Sequence, residues 1–338
     1  MNESLEMNAT ICLFQYNEYF NAYEYYCYLF ILPILCLIGV AFAVISVIVF
    51  TSKSMRNFTL NVYLAGLSVF DLLLLVFCSL VYIPMSACYH TGYTDNLICR
   101  VHWRTAAYTI TFYSISHMCS IYTVVAITID RFLAIKYPFH WRIWCTPKGS
   151  VKVIISIAVI SFIYKFPQFF QKILDECGVL IDDDFLTTNR AYQLYYVLYG
   201  FLITRYLIPW SIMLILNVII IRAVRDAYRN RGVMQNSKNS EGNEKRCTTM
   251  AVIIILSFLL FNCLIAIKTA STYINLDLSD DFIPIGNILV CFYSSFNFVI
   301  YAWFSPKFRH IFVLLLCGKG SKWQSWLKTD SGRLSFTK

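Results

Sequence analysis

The chain has 338 residues, 58% of them hydrophobic and 14% charged, with a formal net charge of +9. Soluble domains carry about 25% charged and 45–50% apolar residues, so this balance excludes an ordinary soluble protein and points to a membrane protein. Apolar stretches recur along the whole length and leave no room for a second domain.

Residues 1–26 are polar and acidic, with neither the basic start nor the short apolar core of a cleavable signal, so the first span is expected to act as the targeting signal. Asn2 and Asn8 open Asn-x-Ser/Thr triplets and are candidate glycosylation sites on this outer tail. A membrane-crossing helix needs about 20 mostly apolar residues, and seven stretches qualify. They run near Cys27–Phe50, Leu60–Met85 with Asp71 inside, Thr105–Ile129, and Val153–Phe170 with Lys165 inside. Tyr192–Ile221 with Arg205, Cys247–Tyr273 with Lys268, and Phe282–Phe304 complete the set. Spans of this length exclude barrel strands. The expected fold is therefore all-α and integral to the membrane, with a tail over 1–26, seven helices over 27–304, and an inner segment over 305–338. In that last segment Ser305-Pro306-Lys307-Phe308-Arg309-His310-Ile311-Phe312 reads as a short amphipathic eighth helix on the inner leaflet.

Loops on the cytoplasmic side of a membrane are enriched in Lys and Arg. With the N-terminus outside, the inner segments hold 21 of the 28 basic residues and the outer ones 13 of the 19 acids. The net positive charge is then cytoplasmic and favours anionic lipid and acidic partners; it is not evidence for nucleic acid. The expected location is the plasma membrane, with several crossings and an extracellular N-terminus.

Three motifs stand at fixed depths. Asp130-Arg131-Phe132, continuing to Pro138, ends the third span, Leu67-Ser68-Val69-Phe70-Asp71 lies in the second, and Asn297-Phe298-Val299-Ile300-Tyr301 lies in the seventh. In this order they resemble the rhodopsin-family (class A) G-protein-coupled receptors, whose patterns are Asp/Glu-Arg-Tyr, Leu-Ala-x-x-Asp and Asn-Pro-x-x-Tyr. Within that family the chain is similar to FMRFamide-type neuropeptide receptors. The likeness is carried by Tyr164-Lys165-Phe166-Pro167-Gln168-Phe169-Phe170, Asn189-Arg190-Ala191-Tyr192, Leu216-Asn217, and the stretch from Gly286 to Phe308 with Asn287, Ser294-Ser295 and Lys307-Phe308-Arg309. The resemblance implies an extracellular peptide ligand, coupling to a heterotrimeric G protein, and arrestin and receptor kinase as further partners. A receptor for a small molecule remains an alternative. A seven-helix transporter or pump would need a polar relay or a Lys in the seventh span, and no residue from Phe282 to Phe304 is charged. No metal cluster, and no nucleophile with a base, stands at a useful sequence spacing, so no enzyme is expected.

The resemblance also assigns residues. Asp130, Arg131, Phe132, Asn297 and Tyr301 would form the coupling switch, with Glu244 the acidic partner of Arg131 across the inner end of helix six. Asp71, Ser120, Ser294 and Asn297 would surround an allosteric sodium ion; no other cofactor is implied. Cys99 and Cys177 would form the family disulfide. Cys99 precedes Arg131 by 32 residues, about seven more than is usual in the family, so an insertion or bulge before helix three is expected. Cys12 or Cys27 with Cys88 is a candidate second bridge, and Cys317 a palmitoylation site.

Amine receptors carry an Asp where this chain has Tyr113, and opsins a Lys where it has Cys291, so neither ligand class fits. Pocket residues are expected among Tyr113, Ser116, His117, Arg205, Asn262 and Lys268, with Asp175, Glu176 or the run Asp182-Asp183-Asp184 facing a basic peptide from the second outer loop. The departures are Ala43 for Asn, Ile157 for Trp, Leu264 for the helix-six Pro, and Phe298 for the helix-seven Pro. Leu264 leaves the pivot of helix six without its broken hydrogen bond.

Overall fold

The computed structural model describes residues 22–91, 96–174, 180–182, 202–229, 238–273 and 281–317, together with the single positions 189, 192, 200 and 279. Among the described residues, seven helices are long and apolar enough to cross a membrane. They are α1 (Ala22–Thr51), α2 (Thr59–Thr91), α3 (Leu97–Lys136), α4 (Pro147–Lys165), α5 (Ile208–Arg229), α6 (Lys238–Tyr273) and α7 (Phe282–Phe304). The amphipathic segment forms α8 (Pro306–Cys317). A short helix, Pro138–Trp144, lies between α3 and α4.

Local chemistry sets the boundaries. The Asn96 side chain accepts from the Ile98 N–H at the start of α3, Thr146 accepts from Gly149 N–H before Pro147 at the start of α4, and Ser305 accepts from Phe308 N–H before Pro306 in α8. Each cap is an oxygen side chain, and Thr146 and Ser305 are followed by Pro at the first helical position, where a missing N–H costs nothing. Among the described segments, π turns break the regular ladder at Cys27–Ile31 in α1 and at Ile203–Leu207 leading into α5. Both end two residues before a proline, Pro33 or Pro209. A proline inside a helix lacks the N–H and crowds the carbonyl four residues back; widening the preceding turn relieves that crowding. The fourth span tightens instead, with Phe166–Phe170 forming a 3-10 turn around Pro167.

Among the described residues the departure from an all-α chain is one antiparallel hairpin, β1 (Lys172–Leu174) with β2 (Leu180–Asp182), pairing Ile173 with Ile181. It lies between α4 and α5, in the second outer loop.

α3 runs through the centre of the bundle, burying a face from Cys99 to Ala134. α4 stands at the periphery; its buried residues are Ser150, Ser161 and Lys165. Its apolar side chains, such as Ile160 and Ile163, point outward. This inverted pattern suits a helix whose outer face meets lipid and whose small polar face meets protein. The inner half of the bundle packs Phe50, Leu64, Leu67, Ile127, Phe258, Tyr301 and Phe308 together. The outer half packs Tyr28, Leu32, Leu75, Tyr113 and Val290.

Gly39 lets α1 approach α7. A Cβ there would run into Ser295 Oγ and lie 2.8 Å from Leu75 Cδ1. Gly39→Ala is expected to destabilise the bundle by about 1–3 kcal/mol, read as a lower thermal unfolding temperature of the purified protein in detergent. An unchanged temperature would mean that α1 can move outward at no cost.

The disulfide is not the expected one. Cys99 is bridged to Cys88, with Cα atoms 5.6 Å apart. α3 is one unbroken helix from Leu97, so no bulge lowers Cys99 towards the second outer loop. It rides instead about two turns above the family's usual level, occupied here by buried Ala106, and meets the last turns of α2 at Cys88. The suggested Cys27–Cys88 bridge falls with it, because Cys27 is a free, buried thiol. Cys12 and Cys177 lie outside the described residues.

Candidate ligand pocket and inner switch

Three sites stack along the axis of the bundle. In the outer half, the π turn before Pro209 carries Arg205, whose guanidinium donates to His117 Nδ1 on α3. His117 Nε2 in turn meets Asn262 Oδ1 on α6 at 3.1 Å. Arg205 has no acceptor, so Nδ1 is the accepting nitrogen and Nε2–H the donor. Asn262 then donates to the carbonyl of Phe258, one turn further in, at 2.9 Å. A polar chain thus joins α5, α3 and the backbone of α6, with His117 2% and Asn262 1% exposed.

Beside it runs a column of rings. Tyr28 stacks on Tyr82 with centroids 4.8 Å apart, Tyr82 meets Tyr113 edge-on at 5.8 Å, and Tyr113 faces His117 at 6.2 Å. The Tyr28 hydroxyl accepts from Asn287 Nδ2 at 2.8 Å. Of the expected pocket residues, then, Tyr113, His117, Arg205 and Asn262 come together. Ser116 donates back to Phe112 O on its own helix at 2.8 Å, which leaves it a packing role. Lys268 lies on α6, six residues beyond Asn262 along the chain, and is 9% exposed. Asp175 and Glu176 lie outside the described residues. Two further residues had been given no role from the sequence. Lys165 is 5% exposed, its ammonium 5.5 Å from the centre of the Tyr164 ring. Thr204 ties three helices, accepting from Tyr122 through its carbonyl and donating to Tyr164 through its hydroxyl.

At mid-depth Asp71 is 1% exposed. Ser120 and Ser294 donate to its Oδ1 at 2.9 and 3.2 Å, and Asn297 Nδ2 to its Oδ2 at 2.8 Å. A carboxyl group in lipid is tolerated only with such compensation. Asn297 Oδ1 is buried and has no hydrogen-bond partner. Three helices, α2, α3 and α7, therefore converge on one carboxylate.

At the inner end Arg131, 6% exposed, donates to Asp130 Oδ2 through Nε at 3.1 Å and through a terminal nitrogen at 2.5 Å. Trp141, on the short helix after α3, donates to the other oxygen, Oδ1, at 3.0 Å and places its ring 5.7 Å from the guanidinium. Phe132 packs edge-on against Tyr137. Glu244 falls within α6, but its side chain lies outside those described; among the described residues the acid paired with Arg131 is Asp130. Tyr301 is buried between Phe50 and Phe308. Phe298, in the place of the usual proline, stacks on Phe42 with centroids 4.5 Å apart and contacts Phe308 and Phe312 of α8. Lys307 fastens α8 to the first inner loop by donating to Ser54 O at 2.6 Å. Cys317 ends α8, its side chain again outside those described.

A buried carboxylate at mid-depth, an Arg at the inner end of the third of seven helices and a polar chain in the outer half make up the candidate site. The sequence pattern described as "7 transmembrane receptor (rhodopsin family)" matches residues 41–301, and the chain belongs to that family. It is 27% identical over 294 residues to the FMRFamide receptor of Drosophila melanogaster, an alignment covering 84% of this chain and 53% of that protein. The chain thus spans about half the length of that relative. It is 28% identical over 306 residues to the FMRFamide peptide receptor frpr-18 of Caenorhabditis elegans, covering 84% and 67%. The Drosophila sex peptide receptor is 24% identical over 86% of this chain and 73% of its own. Members of the family are receptors rather than enzymes, and the seven spans make this a multi-pass membrane protein.

Proposed function

We propose that the chain is a plasma-membrane receptor for a C-terminally amidated, FMRFamide-like neuropeptide and relays its binding to a heterotrimeric G protein. The observation that supports this most is the chain from Arg205 through His117 and Asn262 to the Phe258 carbonyl. An amide-terminated peptide offers a carbonyl oxygen to Arg205 and an aromatic ring to the Tyr28–Tyr82–Tyr113 column. A ligand shifts a two-state protein only through contacts that differ between the states. Drawing Arg205 towards the ligand changes what His117 and Asn262 hold. Asn262 bonds back to a carbonyl of its own helix, an interaction that competes with the backbone ladder and bends helices. It therefore supplies to α6 the compliance that Leu264, in place of proline, withholds.

The basic inner segments and acidic outer ones support an extracellular N-terminus, and the names of the relatives support the peptide class. Asn2 and Asn8 as glycosylation sites, Cys317 as a lipid anchor, and arrestin and a receptor kinase as partners of the tail belong to the same proposal. Arg-Phe-amide peptides applied to cells expressing the chain are expected to raise calcium or change cyclic AMP, and the free-acid forms to be much weaker. Silence for every amidated peptide despite surface expression would sink the ligand assignment; a response to a non-peptide alone would favour the small-molecule reading.

Asp71, Ser120, Ser294 and Asn297 offer hard oxygen donors suited to a sodium ion, and the buried Asn297 Oδ1 without a partner fits that role. When bound, the ion would supply the positive charge that a buried carboxylate requires. Replacing choline by sodium at constant ionic strength should weaken agonist binding about tenfold, a typical coupling between two sites. The effect should vanish in Asp71→Asn; a wild type indifferent to sodium would refute it.

Trp141→Phe keeps the ring over Arg131 and removes the donor to Asp130. One lost hydrogen bond is worth about 1 kcal/mol, so agonist-free nucleotide exchange on the G protein is expected to rise about threefold to tenfold. No change would show that Asp130 does not need the indole to hold Arg131.

A further inference from the structure

Three thiols meet in the outer half of the bundle. Cys36 on α1, Cys78 on α2 and Cys291 on α7 are 3%, 0% and 0% exposed. Their sulfurs all lie within 4.8 Å of one another, and Cys78 and Cys291 Sγ are 3.2 Å apart although 213 residues separate them in sequence. The surroundings are apolar, with Tyr28, Leu32, Leu75 and Val290 packed against them. The cluster takes no part in the outer polar chain or the Asp71 site.

We propose that Cys36, Cys78 and Cys291 bind one Cu(I) ion in a trigonal all-sulfur site. Metal–sulfur bonds of about 2.3 Å arranged at three corners put the sulfurs about 4 Å apart, between the nearest pair seen here and the outer limit of the group. Soft thiolate donors select Cu(I) or zinc, whereas Cu(II) prefers nitrogen and oxygen ligands in a tetragonal plane. Zinc in a closed site takes four ligands, and among the described residues this group of possible ligands has three members. Thiolate rather than thiol is the metal ligand, so each of the three cysteines gives its proton to solvent as Cu(I) enters. Three protons leave, and the three-thiolate site carries a net charge of −2, a desolvation cost set against the three copper–sulfur bonds.

The site would bind together the helices that converge one to two turns further in. Asp71 precedes Cys78 by seven residues on α2, and Asn297 follows Cys291 by six on α7. A metal clamp at Cys78 and Cys291 therefore restrains the pair of helices joined by the Asp71–Asn297 hydrogen bond.

The test uses the purified full-length receptor, reduced under argon and titrated with the coloured bicinchoninate complex of Cu(I). Wild type is expected to withdraw one copper per chain. Cys36→Ser, Cys78→Ser and Cys291→Ser should each weaken that binding by about a hundredfold or more, since outer-shell changes alone cost 10–100-fold; Cys119→Ser should not. X-ray absorption on the wild-type complex should show three sulfurs at about 2.3 Å, and this holds the proposal to account should a serine variant fail to fold. Copper withdrawn equally by all three serine variants would overturn the site. So would no withdrawal by wild type, a nitrogen or oxygen shell around the metal, or Zn²⁺ displacing Cu(I) at equal concentration.

Discussion

His117→Leu is expected to raise the agonist concentration for half-maximal response by about a hundredfold while the receptor still reaches the cell surface. Leucine fills the volume of the ring but takes the acceptor from an Arg205 N–H and the donor from Asn262 Oδ1. Each buried polar group left unsatisfied costs about 1–3 kcal/mol, and a hundredfold shift is about 2.7 kcal/mol, so half of the combined cost suffices. His117→Gln, which keeps one acceptor and one donor on a flexible stem, should recover part of the loss; leucine and alanine should not. A dose–response curve for all three variants, corrected for surface number, makes the comparison. An unchanged midpoint in His117→Leu would remove the polar chain from the path between ligand and α6.

Arg131→Ala carries the second large effect. It is expected to cut agonist-driven nucleotide exchange on the G protein at least about tenfold, with agonist binding altered far less. The guanidinium is the one cation hydrogen-bonded to Asp130 among the described residues, and its removal leaves that carboxylate with only the Trp141 donor. Deleting one partner of a buried ion pair costs about 3–5 kcal/mol, so Arg131→Ala should also unfold earlier than wild type. Asp130→Asn with Arg131→Ala, which removes both charges, should regain the stability and not the exchange. That separates the structural pair from the signalling role. Full exchange in Arg131→Ala would overturn the switch.

The spans were legible because lipid imposes one rule on every crossing: a long apolar run whose backbone satisfies itself. Asp71 and its neighbours were legible too, since a mid-membrane acid has few affordable environments and the resemblance named the helices that supply them. What escaped depends on relative position between helices. The choice of Cys88 over Cys177 turned on how far α2 and α3 extend outward, and helix ends are the least legible part of a hydropathy pattern. The π turn that carries Arg205 inward could have been suspected from Pro209, because a proline within a span forces the preceding turn to adjust. The hold of Asn262 on Phe258 O was also within reach, as an amide four residues from a carbonyl on the same helix. The Cys36–Cys78–Cys291 cluster was not, for it joins three helices and leaves no spacing to read.

The length of α3 has a kinetic consequence. From Leu97 to Arg131 the helix rises about 50 Å, while the hydrocarbon layer is about 30 Å thick. With Arg131 at the inner boundary, Cys99 lies about 48 Å further along the helix, so the Cys88–Cys99 bridge stands beyond the outer edge of the hydrocarbon layer. An approaching ligand meets a collar of protein in water before it meets the bilayer. Capture at the mouth is then governed by screened charge in solution, so the association rate should respond to ionic strength far more than to the headgroup composition of the membrane.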